Sequence, residues 1–246
     1  MKTIFLILTL ILIIISINYL VSEIKYQNQI DFYVITLRYI DRMNNINYQE
    51  NLFGINIGIS DAVNGVNINL DDYVNLGVLD KNFILEKDVK RSKEIGCYLS
   101  HISLLKYIDT IYTKKYSVIF EDDFIITSNT KYNFDIIMNN LVNSLSNYDF
   151  DIVFLGNTFN NKGEHLIDNI YTIDTNKTIV GLFGYLILNS NINKIVKLLE
   201  YMNKPLDIAI QELIYQKKIN GLIVYPNIVS YNELLPSTII TSVIEK

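Results

Sequence analysis

From about residue 28 onward, apolar runs of strand length alternate with stretches whose apolar positions recur at helical spacing. That alternation is the pattern of βαβ units in a mostly parallel sheet. "DFYVITL" (Asp31 to Leu37) reads as a first buried strand and "LFGINIGI" (Leu52 to Ile59) as a second, followed by the turn-like "SDAVNG" of Ser60 to Gly65. Further strands are expected at "YSVIFE" (Tyr116 to Glu121), "FDIVFLG" (Phe150 to Gly156) and "IVGLFGYLILN" (Ile179 to Asn189). Helical periodicity fills the gaps at Glu94 to Tyr112, Phe134 to Leu145, Ile192 to Met202 and Asp207 to Gln216, the last following Pro205, a helix-start signal. With three prolines, no charge-dense linker and no repeat of solenoid period, one α/β domain is predicted over residues 26–246.

The N-terminus departs from this pattern. An apolar run from Ile4 to Leu20 is interrupted only by Thr9, Ser16 and Asn18, close to the ~17–25 residues of a membrane helix. No small-residue cleavage site of the A-x-A type follows it, which favours an uncleaved signal anchor over residues 1–25 rather than a cleaved signal. Lys2 before the run, against Glu23 and Lys25 after it, leans toward a cytoplasmic N-terminus and a lumenal or external body. A single cysteine, Cys97, excludes an intrachain disulfide, so such a body relies on its apolar core. Asn176-Lys177-Thr178 fits the N-glycosylation pattern, although such tripeptides are frequent by chance in an Asn-rich chain.

Projected at 100° per residue, the helix near Glu94 places Ile95, Tyr98, Leu99, Ile102 and Leu105 on one apolar face. Glu94 and His101, seven positions apart, fall together on its flank. They are either a satisfied structural pair or participants in chemistry. Cys97 reads as a small core residue, since no second cysteine or basic cluster accompanies it.

The net charge of −5 and the lack of a basic cluster exclude an electrostatic footprint for nucleic acid. The candidate chemistry lies instead in Glu121, Asp122 and Asp123, which end an apolar strand. Neighbouring carboxylates repel one another, and each loses several kcal/mol if buried without a partner. In open α/β sheets ligands bind outside the carboxyl ends of strands. Strand alternation sends Glu121 and Asp123 to one side and Asp122 to the other. Such a pair supplies hard oxygen ligands for Mg²⁺ or Mn²⁺, whose open positions accept phosphate oxygens, as in a nucleotide diphosphate. An acidic surface turn is the alternative.

"KEIGCYLSHISLLKYI" (Lys93 to Ile108) followed by "YSVIFEDDF" resembles the paired signature of glycosyltransferase family 25, which includes bacterial lipooligosaccharide and collagen galactosyltransferases. That family has a G-E-I-G-C-x-x-S-H helix before a strand ending in E-D-D. Glu94, Ile95, Gly96, Cys97, Ser100 and His101 match, and Lys93 replaces the leading glycine. "YVITLRYIDR" resembles the family's opening V-I-N-L-x-R-x-x-D-R, with Thr36 in place of asparagine and with Leu37, Asp41 and Arg42 retained. "DAVNG" resembles its A-x-D-G turn, Asn64 replacing the aspartate, and "PLDIAI" resembles its P-x-D segment, keeping Asp207.

The resemblance implies a GT-A-like Rossmann-type domain with a mixed, mostly parallel sheet. It further implies a metal-dependent, inverting transfer of a hexose, most often galactose, from a UDP-sugar to a glycan or glycoprotein hydroxyl. Carried over by position, Glu121 and Asp123 hold Mn²⁺ or Mg²⁺. Thr36, Leu37, Arg38, Arg42, Glu94 and Asp122 contact the nucleotide sugar. Asp207 is the candidate base with Glu212 behind it, and His101 joins the catalytic set; Asp207 also suits an N-cap on its helix. With the anchor, this describes a type II, single-pass membrane protein whose catalytic domain is lumenal, in a secretory or virus-related membrane. Two alternatives stand beside it. One is an inactive glycan-binding or membrane-anchored structural relative, for which retention of both acid sites is unneeded. The other is a metal-dependent phosphate-ester hydrolase, in which the Glu94 to His101 signature has no place.

Overall fold

The computed structural model describes residues 2–85, 89–158, 161–179 and 181–235, with side chains at 2, 3, 5, 6 and 17–25 outside the description. Helices α1 (Lys2–Gln27), α2 (Ile40–Phe53), α3 (Leu70–Asn75), α4 (Val89–Ile111), α5 (Lys131–Leu145), α6 (Ile192–Leu198) and α7 (Leu206–Tyr215) alternate with ten strands. These are β1 (Ile30–Thr36), β2 (Ile57–Asp61), β3 (Tyr116–Glu121), β4 (Phe124–Ile126), β5 (Ile152–Phe154), β6 (Lys162–Ile167), β7 (Ile170–Ile173), β8 (Gly184–Leu188), β9 (Gly221–Val224) and β10 (Val229–Tyr231).

Eight strands form one sheet in the order β2-β1-β3-β8-β5-β9-β7-β6. Their pairings set β1, β2, β3, β5, β9 and β6 in one direction, with β8 and β7 opposed. The sheet is thus mixed and mostly parallel in direction. β4 and β10 pair separately.

Both faces of the central strands β3, β8 and β5 are buried, and alternate residues of a strand serve different layers. Phe32, Val34, Val118, Phe120, Val153 and Leu186 pack with Ile46 and Phe53 of α2 and Phe134 and Met138 of α5. Ile35, Ile119, Phe154, Tyr185 and Ile187 pack on the other side with Ile95, Ile102 and Leu105 of α4 and with α6 and α7. The alternation carries to the end of β3: Glu121, in phase with Ile119, belongs to the α4 side.

Strand β3 lies where the apolar run predicts it. The expected strand Leu52–Ile59 is corrected: α2 extends to Phe53, Gly54 ends it in the left-handed conformation (φ 61°), and β2 begins at Ile57. Such a terminus favours glycine because no Cβ clashes there. The expected strand Ile179–Asn189 shortens to β8, and its position 180 lies outside the described residues.

The expected junction between residues 25 and 26 falls inside α1. Tyr26 belongs to the core, and its hydroxyl donates to Asp135 Oδ1 at 2.7 Å. Ile4, Ile7, Leu8 and the run Leu10–Ile15 are exposed on α1. The expected membrane span does not emerge: among the described residues no helix is long and apolar enough to cross a membrane.

Candidate active site

A cavity of about 430 Å³ opens at the carboxyl ends of β1, β2 and β3, the edge where ligands bind in such sheets. Its walls are the β1 end with Tyr39, the loop Ala62 to Asn67, one face of α4, and Glu121, Asp122 and Asp123. The α4 face presents Lys93, Cys97, Ser100 and His101, residues spaced three or four apart and hence on one side of the helix.

Close approach of backbone fixes this geometry. A Cβ on Gly96 would stand 2.5 Å from Gly65 N and 2.6 Å from Val63 O, so α4 and the wall loop touch without side chains between them. Ser100 Oγ latches the contact, donating to Gly96 O at 2.6 Å and accepting from Val63 N–H at 2.8 Å.

The three acids do not share one environment. Strand β3 ends at Glu121 and the chain turns, so alternation governs Glu121 and Asp122 but not Asp123. Asp122 and Asp123 both reach Arg42 of α2, whose Nη1 lies 3.1 Å from Asp122 Oδ1 and 3.2 Å from Asp123 Oδ2. The turn is further held by Asn45, whose Nδ2 donates to Asp122 O at 3.2 Å and Phe124 O at 2.9 Å, and by Asn232 N–H, which donates to Asp123 O at 2.7 Å. Glu121 faces the other way: its Oε1 lies 3.5 Å from His101 Nε2 and 3.8 Å from Cys97 Sγ. The expectation that Glu121 and Asp123 face one side together, apart from Asp122, is therefore corrected.

Electrostatics follow from this partition. Burial pushes the Asp123 carboxyl up to about 6, with the Glu121 charge adding to it and Arg42 opposing. Asp123 Oδ1 is buried without a hydrogen bond. Burial also raises Asp122, against the stabilising Thr36 hydroxyl, Arg42 and the Leu37 N–H. Burial, then the charges of Glu121 and Asp207, push the Cys97 thiol well up.

Of the residues expected in the site, Thr36, Leu37, His101, Glu121, Asp122 and Asp123 line the cavity. Arg42 is 2% exposed and supports the acidic turn from beneath, so it cannot reach a nucleotide without abandoning two carboxylates. Thr36 is buried too, its hydroxyl serving Asp122 and accepting Arg38 N–H at 2.9 Å. Arg38 points to Asp61 on the surface, and Glu94 pairs with Arg91 at 2.5 Å rather than with His101; neither lines the cavity. Glu212 is half exposed and bound to Lys204 at 2.5 Å, away from the cavity. Asp207 is close enough to Cys97 to act on its titration, and its carboxylate accepts Ile208 N–H at 2.9 Å and Gly181 N–H at 3.4 Å.

Lys93, Cys97 and Tyr185 were not anticipated as site residues. Cys97 lines the cavity, where the sequence suggested a core position. Reading period four from Lys93 through Cys97 to His101 exposes this face.

The model of glycosyltransferase family 25 (LPS biosynthesis protein) matches residues 29–210, which contain the whole cavity. The chain belongs to this family. Within family 25, the residues matched include both the α4 signature and the acidic turn. Comparison with curated proteins finds no match. Similar solved structures include a UTP-bound UGPase from Acinetobacter baumannii, at 9% identity and TM-score 0.44, covering 84% of this chain and 90% of that one. A197 from STIV is similar at 13% identity and TM-score 0.37, covering 82% and 83%. A glycosyltransferase involved in glycosylation of the major capsid of PBCV-1 is similar at 7% identity and TM-score 0.42, covering 85% and 94%. The activity assigned to this family 25 chain is glycosyl transfer.

Proposed function

We propose that this family 25 enzyme moves a hexose, with galactose the first candidate, from a UDP-sugar to a hydroxyl of a glycan or glycoprotein with inversion. One observation carries the reading: three carboxylates border a cavity at the strand ends, and a single buried guanidinium compensates two of them. A divalent cation fits the remainder. Asp123 Oδ1 is buried without a hydrogen bond, and its raised titration marks a place where added positive charge is stabilising.

Asp123, through its unbonded Oδ1, would hold Mn²⁺ or Mg²⁺, with Glu121 bordering the same cavity from the α4 side; the ion supplies positive charge to the departing diphosphate. Asp122, Arg42 and Thr36 hold the acidic turn in shape. The wall from Ala62 to Asn67 and the end of β1 bound the space for the nucleotide. Asp207 is the proposed base: as the acceptor oxygen bonds to the anomeric carbon and the bond to UDP breaks, its carboxylate takes the hydroxyl proton. His101 borders the same space, its Nε2 3.5 Å from Glu121 Oε1.

We also propose that residues 1–25 anchor the enzyme as a type II membrane protein with a lumenal catalytic domain. The apolar run Ile4–Leu20 supports this, as do the exposed apolar side chains of α1. Exposure of Asn176 is compatible with it. Retention of the full chain in carbonate-washed membranes is expected; full release overturns the anchor.

Incubating the full chain with a panel of UDP-sugars and Mn²⁺, with chelator controls, tests the reaction. Release of UDP from one donor, abolished by chelation, is expected. Absence of hydrolysis, transfer and donor binding across the panel overturns the enzyme reading in favour of a glycan-binding or structural relative.

A further inference from the structure

Cys97 and His101 stand one helical turn apart on the cavity face of α4, and Glu121 reaches them from the end of β3. Their ligand atoms, Sγ, a ring nitrogen and one carboxylate oxygen, all lie within 4.8 Å of one another. Nε2 is 3.5 Å from Glu121 Oε1, and Sγ is 3.8 Å from the same oxygen. A tetrahedral ion with bonds of about 2.0–2.3 Å holds its ligands roughly 3.3–3.8 Å apart, so these two separations already match.

The second observation concerns the imidazole alone. His101 is 1% exposed, and its Nε2 makes no hydrogen bond although it is aimed at Glu121 and the thiol. The other nitrogen, Nδ1, is 3.0 Å from the buried Tyr185 hydroxyl. One ring nitrogen is therefore held by an outer hydrogen bond while the inner one lacks a partner, the arrangement that orients a histidine toward a metal. An unfilled buried nitrogen is otherwise unfavourable.

We infer that Cys97, His101 and Glu121 form a binding site for a zinc-type divalent cation, distinct from the hard-oxygen set that includes Asp123. The donor atoms make the distinction: thiolate and imidazole suit Zn²⁺, whereas Mg²⁺ and Mn²⁺ prefer carboxylate and water. Binding displaces the Cys97 thiol proton to solvent and leaves a fourth position open toward the cavity. A regulatory consequence rests on the proposed transfer reaction, though the site itself does not. Glu121 borders both sites, so zinc occupancy withdraws it from the manganese side and inhibits Mn²⁺-supported transfer.

The test uses the full chain with Co²⁺ as a spectroscopic probe, in buffer free of Mg²⁺ and Mn²⁺ because either would compete for Glu121. Expected is one thiolate-bound Co²⁺ per chain, with thiolate-to-cobalt charge-transfer absorption and tetrahedral visible bands, both abolished by one equivalent of Zn²⁺. Cys97→Ser should remove the charge-transfer absorption while circular dichroism confirms an unchanged fold. Tyr185→Phe should weaken Zn²⁺ binding about 10–100-fold, the range for loss of a histidine's outer partner. Absence of thiolate absorption in the folded wild-type chain at saturating Co²⁺, or unchanged Zn²⁺ affinity in folded Cys97→Ser, overturns the site. Inactivity toward every UDP-sugar would sink the transfer reading and leave these metal measurements as they stand.

Discussion

The guanidinium of Arg42, buried on α2, stands 3.1 Å from the carboxylate of Asp122 at the end of the β3 turn. Asp123 shares the same nitrogen at 3.2 Å, so one cation from an early helix supports two acids encoded far downstream. Removing one partner of a buried pair leaves uncompensated charge and costs about 3–5 kcal/mol. Arg42→Ala should lower stability by that order in urea unfolding. A variant of wild-type stability with only weakened nucleotide binding would instead restore Arg42 to the nucleotide.

The titration of Asp123 predicts a pH dependence. Its folded value near 6 lies above the ordinary 3.8, so between these values the folded state binds more protons than the unfolded one. Stability then falls as pH rises from about 4 to 6, by up to about 3 kcal/mol. Asp123→Asn should flatten this part of the profile and be more stable than wild type at pH 7 in chelator. Mn²⁺ should stabilise wild type at pH 7, by about 2.7 kcal/mol at 100 times Kd, and the variant much less. Urea midpoints across pH, with and without Mn²⁺, read both.

Gly96 and Gly65 meet backbone to backbone, and a Cβ on Gly96 would stand 2.8 Å from Gly65 Cα as well. Backbone atoms cannot retreat as a flexible side chain can. Gly96→Ala should cost about 1–3 kcal/mol through overpacking and displace the loop Ala62 to Asn67. Thermal melts and UDP titration calorimetry should show lower stability together with weaker UDP binding.

Asp207 and Glu212 both lie on α7 but differ in surroundings. Asp207 is not among the residues lining the cavity, but its charge adds to the upward push on the Cys97 thiol that lines it, whereas Glu212 is 48% exposed and bound to Lys204. Asp207→Asn should lower kcat by about 10²–10⁴-fold, the usual contribution of a positioned base. Glu212→Gln should alter stability by less than about 0.5 kcal/mol, as surface changes do, and leave kcat unchanged. Initial rates of UDP release distinguish them, and the opposite ranking would move the base to Glu212.

How much of this was legible depended on whether burial left a periodic trace. Strand β3 was legible because both its faces are covered, so Tyr116–Phe120 reads as an apolar run broken only by Ser117. Helix α2 was not. Its buried positions, Arg42, Ile46, Gln49 and Phe53, keep helical spacing but half are polar, so hydrophobic periodicity misses them. Gln49 is buried because its Oε1 accepts Ile126 N–H at 3.1 Å, a partner that local sequence cannot reveal. Strand β6 has mostly exposed or half-buried side chains and leaves little apolar signal.

The sequence by itself determined that three acids end a buried strand, that a helix bearing Cys97 and His101 precedes it, and that Glu121 and Asp122 leave the strand on opposite faces. These follow from local periodicity and chain order, which any fold of this segment must respect. Only the tertiary structure decided what each acid meets. Packing of α2 on one face of the sheet supplies Arg42 to Asp122, and the turn after Glu121 swings Asp123 to the same guanidinium. Packing of α4 on the other face delivers Cys97 and His101 to Glu121. The acids are adjacent in sequence, but their chemistry is set by partners brought from elsewhere in the chain, because charge stabilisation depends on distance in space.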